Sequence, residues 1–140
     1  ATAQLLPRRV PIFEASFLVD GAYCRVDVLV PADGDAWDLV EVKSSTRVKS
    51  ENLHDVAFQT SCLERAGIRL NRKYVMHVNN TYVRDGDINP AGLLIAEDVT
   101  DELAQIDRLA QNGDSGDGAK HEADRDREHV DHHHPFQNEV

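Results

Sequence analysis

The dipeptide Asp20-Gly21 separates two runs in which apolar and polar residues alternate, and this feature constrains the fold of the chain more than any other. Alternation with a period of two marks a strand with one buried face. Asp-Gly between two such runs favours a two-residue hairpin turn. The first run, VPIFEASFLV from Val10, is rich in aromatic and β-branched residues; the second, AYCRVDVLV from Ala22, ends in a Pro/Asp/Gly turn. A third, AWDLVEVKSS from Ala36, closes at Ser45-Thr46. Three strands with short links predict an antiparallel meander.

The next stretch, SENLHDVAFQTSCLERAGI, places Leu53, Val56, Ala57, Leu63 and Ala66 near helical spacing, with Ser50 as the expected N-cap and Gly67 as the stop. KYVMHVNNTYV, from Lys73, reads as a fourth strand turning at Asn79-Asn80, and AEDVTDELAQIDRLAQ as a helix from near Thr100. The order β-β-β-α-β-α predicts an α/β fold with a central mixed sheet flanked by helices.

A chain of 140 residues suits one domain, expected over residues 1–111. Residues 112–140 carry eight acidic and three basic residues, half of the net charge of -10, and are expected to be a disordered tail. Its run His132 to His134 would bind transition metals only opportunistically. The acidic balance argues against holding nucleic acid by global charge, so partners must be sought in local patches. Two cysteines without a CxxC pair, and no apolar run long enough for a membrane span, make a cytoplasmic protein the expectation. The chain reaches its first strand almost at once, so further domains of a longer parent protein are expected beside it.

Charge inside the strands is the anomaly. In WDLVEVK, Trp37, Leu39, Glu41 and Lys43 project to one side, and Asp38, Val40 and Val42 to the other. In the preceding run, Tyr23, Arg25, Asp27 and Leu29 are expected on one face, with Val26, Val28 and Val30 opposite. If the two strands are neighbours, Asp27 and Glu41 converge near the sheet edge with Lys43 beside them. An uncompensated buried charge costs several kcal/mol, so something must balance the cluster. Mg²⁺ suits it, being held by one or two carboxylates and completing its shell with water and phosphate. Asp27 and Glu41 are then the expected ligands, helped by the Val42 carbonyl, with Lys43 next to the attacking water or the phosphate. A half-solvated strand with an exposed Glu41–Lys43 pair worth under ~1 kcal/mol is the plain alternative. The combination of Asp27, Glu41 fourteen positions later, Lys43 and a following helix is much more specific than Glu-Val-Lys alone.

RVDVLV, LVEVKSST and HDVAFQTSCLERAGI together resemble the PD-(D/E)XK nuclease superfamily, most closely its RecB-like branch, which includes the CRISPR-associated exonucleases. The likeness runs from Ile12 to Val83. It implies a restriction-endonuclease-like core and Mg²⁺- or Mn²⁺-dependent hydrolysis of DNA phosphodiester bonds, in repair, recombination or defence. It also implies Asp27 and Glu41 as metal ligands, Lys43 as the catalytic lysine and Gln59 as the helix glutamine that reaches the site. Leu63 stands where the branch often has a Tyr, and its upstream His-bearing helix has no counterpart before Ile12. Glu14, within IFEASF, is the candidate for an additional ligand. Cys24 and Cys62 do not match the cysteines of iron-sulfur relatives, so no cluster is expected. The competing expectation is a non-catalytic nucleic-acid-binding or scaffold module of a larger protein.

Phosphate contacts are expected from Arg47 and Lys49 after the Glu-x-Lys motif, and from Arg65, Arg69, Arg72 and Lys73 around the helix end. Basic residues near a helix C-terminus are also ordinary dipole complements. Tyr82 and Arg84 are candidates to stack on or clamp a nucleotide. Asp55, four residues before Gln59, is placed to orient it. His54 reads as a surface residue and His77 as a core or sheet-edge histidine.

Overall fold

Asp20 and Gly21 both have positive φ, 49° and 79°, the two left-handed conformations a type I′ turn needs to match the twist of its strands. The structure, a computed structural model, describes residues 2–113; the expected tail, apart from its first two residues, lies outside the described residues. A short helix α1 (Thr2–Leu5) and a 3₁₀ turn (Leu6–Arg8) precede the hairpin of β1 (Ile12–Val19) and β2 (Ala22–Pro31). A turn closed by the Ala32 N–H to the Ala36 carbonyl at 2.9 Å leads into β3 (Trp37–Val42). Helix α2 (Ser50–Arg65) then crosses over to β4 (Leu70–Val78). Helix α3 (Pro90–Leu93), β5 (Leu94–Asp98) and α4 (Thr100–Gly113) complete the order.

The result is an α/β fold around a mixed five-stranded sheet, consistent with a restriction-endonuclease-like core. The strands lie in sequence order, with β3 and β4 parallel and the other neighbours antiparallel. The parallel pair follows from the α2 crossover, since parallel neighbours cannot be joined by a tight turn. Val56, Cys62 and Leu63 of α2 and Leu103 of α4 share one core with Val26, Leu39 and Val75 of the sheet. Burial and the neighbouring Cys62 push the Cys24 thiol up to about 11.

Three expectations are corrected. The N-cap of α2 is Lys49 rather than Ser50: its backbone is extended (φ -120°, ψ 158°), and Asn52 Oδ1 accepts its N–H at 3.0 Å. The strand β5 and helix α3 carry no period in the sequence, because β5 is an edge strand exposed along most of its length. Helix α4 continues to Gly113, two residues past the expected domain boundary.

The faces of β2 are also reassigned. Cys24, Val26 and Leu29 are buried, while Tyr23 and Arg25 are exposed, so alternation slips by one residue between Val26 and Leu29. Ile12 and Ala15 show the same slip on β1. The ladder has rungs at Phe13–Val28 and Ala15–Val26 and skips the opposed positions between them, Glu14 and Asp27. Glu14 has φ 53°, a strained conformation for a residue with a side chain. This matched break removes Asp27 from the face of Arg25 and sets it apart from the regular ladder.

Arg9 ties the N-terminal segment to the β2–β3 turn. Its guanidinium donates to the Ala32 and Ala36 carbonyls at 2.7 Å and to the Asp35 carbonyl at 3.2 Å, and lies 4.5 Å from the centre of the Trp37 ring.

Candidate functional site

Glu41 and Lys43 leave the end of β3 on the face that α2 covers. Two residues along a strand advance ~6.6 Å and four along a helix ~6 Å, so positions i and i+4 of α2 match positions i and i+2 of β3. Asp55 and Gln59 fill the helical pair. Gln59 Nε2 donates to Glu41 Oε2 at 2.8 Å, and Lys43 Nζ donates to Glu41 Oε1 and to Asp55 Oδ2, both at 2.8 Å. Glu41 is only 7% exposed, a buried carboxylate with both oxygens bonded. Asp55 therefore holds Lys43 and not Gln59 as expected. Burial opposes the charge on Lys43, but the hydrogen bonds from Asp55 and Glu41 outweigh it and hold the ammonium well above its usual 10.5.

Asp27 reaches the same strand end from β2. The β2–β3 ladder stops at the Val28–Val40 rung, so Asp27 and Glu41 are the next opposed positions. Asp27 Oδ2 accepts the Val42 N–H at 2.7 Å. The next amide, Lys43 N–H, donates to the Met76 carbonyl on β4 at 2.8 Å. Because the peptide is planar and trans, the Val42 carbonyl points the other way, toward β2. Asp27 and Glu41 thus occupy opposed positions where β2 and β3 part, and the Val42 carbonyl is turned toward the same gap.

That donor set is all oxygen, as a hard cation prefers. Among the described residues, no three His, Cys, Asp or Glu side chains form a ready-made metal cluster, so water or phosphate would complete the shell. Gln59 supports the fit. It is 8% exposed and its Oε1 has no hydrogen-bond partner in the structure. A buried acceptor left open beside Glu41 calls for a donor such as water.

The other candidates divide by location. Glu14 lines an apolar groove with Asp27, and its carboxylate pairs with Arg25 at 2.8 Å. Arg47 and Lys49 line a polar pocket of about 520 Å³ with Ser44, Ser45, Thr46 and Asn80, directly after Lys43. Arg69, Arg72 and Lys73 do not join the site. They lie where β3 and β4 begin, Lys73 level with Leu39. Arg69 pairs with Asp35, and Arg72 with Asp98 at 2.5 Å. Arg65, at the far end of α2, pairs with Asp20 at 2.6 Å. Tyr82 serves its own loop: its hydroxyl accepts the Asn89 N–H at 2.9 Å and its ring lies against Gly92. Arg84 Nε donates to the Gly86 carbonyl at 2.7 Å. His54 is exposed. His77 is buried at 3% exposure, with Nε2 2.5 Å from Glu97 Oε1.

Sequence reasoning missed the Asp55–Lys43 contact, although the commensurate spacing of Asp55-Gln59 and Glu41-Lys43 was its available signal. It also missed Arg9 and Glu97, for which no local pattern exists.

No family model and no curated protein matches the chain. Among solved structures, one titled "Crystal structure of SSO0001" is similar at 14% identity and a TM-score of 0.37, over 84% of this chain and 56% of that one. The chain thus spans little more than half the length of that protein.

Proposed function

We propose that the chain is a RecB-like nuclease domain that hydrolyses DNA phosphodiester bonds with Mg²⁺ or Mn²⁺. The observation that carries this reading is the placement of Asp27 and Glu41 at adjacent opposed positions where β2 and β3 part, with Lys43 and Gln59 locked onto Glu41. Asp27, Glu41 and the Val42 carbonyl would hold the cation. When bound, such a cation polarises a phosphoryl oxygen and lowers the pKa of an attacking water.

The remaining roles belong to the chain itself. Gln59 fixes the rotamer of Glu41, and its open Oε1 accepts a proton of a bound water. Lys43, kept charged by its two carboxylate partners, acts as a donor to negative charge developing on the phosphate and not as a base. Arg47 and Lys49, in the polar pocket beyond Lys43, are placed to meet flanking phosphates.

Cleavage of labelled single-stranded and duplex DNA with Mg²⁺, Mn²⁺ or EDTA tests the reading. Metal-dependent cutting that Lys43→Ala abolishes supports it; a wild-type chain that cuts neither substrate refutes it.

A further inference from the structure

We propose that Asp55 is the positioning residue for Lys43, so that the functional unit on α2 is Asp55 together with Gln59. Its part in the reaction rests on the nuclease reading, whereas the hold on Lys43 does not.

Lysine is a flexible stem with a point charge, and although the main chain of Lys43, just past the end of β3, is held to β4 by its N–H, the direction of its ammonium is set by the groups that the ammonium meets. Two carboxylates set its ammonium from opposite sides. Glu41, whose side chain is 9% exposed, holds it from the interior; Asp55, at 53%, holds it from the solvent side, each at 2.8 Å. An ammonium has three N–H donors, so this arrangement leaves one for the substrate.

With Glu41 as its sole partner, the ammonium would be drawn onto the carboxylate proposed to hold the cation and would compete with it. Asp55 supplies the counter-pull. Its place one helical turn from Gln59 lets one rigid helix face orient both Glu41 and Lys43.

The test is ¹⁵N-lysine NMR of the whole chain at one fixed pH, reading the mobility of the Lys43 Nζ group through its order parameter, with Lys43→Arg identifying the signal. In Asp55→Asn, which keeps the shape and removes the charge, the Lys43 Nζ order parameter should fall by about a third or more. Asp55→Glu should restore part of that order. Metal-dependent DNA cleavage by Asp55→Asn should fall about tenfold or more in kcat, with KM within about threefold. An unchanged Lys43 order parameter in Asp55→Asn overturns the proposal, as does an unchanged kcat. A wild-type chain that cuts no DNA overturns the nuclease reading, and the Lys43 order parameter still decides whether Asp55 holds Lys43.

Discussion

Asp27, one position past the last β2–β3 rung, accepts the main-chain N–H of Val42 on its Oδ2 at 2.7 Å. A side chain here replaces the carbonyl that a continued ladder would have offered. The next peptide, held by the Lys43 N–H bond to the Met76 carbonyl, is the one that turns the Val42 carbonyl toward β2, so Asp27 combines a structural role at Val42 with its proposed role as a ligand.

Those two roles can be separated by substitution. Asp27→Ala removes the acceptor for Val42 and should lower stability by about 1–2 kcal/mol in urea unfolding. Asp27→Asn keeps an acceptor and should stay within about 0.5 kcal/mol of wild type. Both should lose Mn²⁺ binding. If Asp27→Ala is as stable as wild type, β2 is an ordinary half-solvated strand at this point.

Replacing Gln59 by Leu leaves Glu41 Oε2 buried without its donor. The expected cost is about 1–3 kcal/mol in denaturant unfolding. Equal stability would mean that the strand end opens to water and that Glu41 is solvated.

Arg9 offers a control remote from the chemistry. Arg9→Ala loses three bonds to the β2–β3 turn and the stacking on Trp37, an expected loss of about 2 kcal/mol. Mn²⁺ binding should not change. A loss of binding would show that the turn, and not the strand end alone, sets the site.

His77 should make stability depend on pH. Its Nδ1 lies 3.1 Å from the Val78 carbonyl and its Nε2 faces Glu97, so both ring nitrogens meet acceptors and the imidazolium satisfies them. The Val78 carbonyl, then Glu97, raise its pKa above the ordinary 6.5. The proton's contribution is complete below pH 6.5 and disappears as pH rises through the raised value. Tm should therefore fall over that window in wild type and fall less in His77→Gln. Parallel curves for the two proteins would contradict this assignment.

Much of this arrangement was legible in the chain. The Asp-Gly turn, the alternation of Trp37, Leu39 and Glu41, and the helical spacing of α2 act locally, and each appears where its residues predicted. The slip at Glu14 and Asp27 was not legible, because a break in alternation shows only when both strands are paired and their burial is compared. Basic residues misled for a related reason: Arg69 and Arg72 follow α2 closely in sequence, yet the crossover returns them to the start of β4, far along the strand from Glu41. Asp55 was singled out for the right face of the helix and the wrong partner, since the reach of Lys43 depends on where β3 ends.

The central claim is that Asp27 and Glu41 together hold one divalent cation. Calorimetric titration of the chain with Mn²⁺, comparing wild type with Asp27→Ala and Glu41→Gln, tests it most directly. The account predicts about one ion per wild-type chain and none in either variant. Binding that survives both substitutions, or a wild-type chain that binds no Mn²⁺, would contradict it.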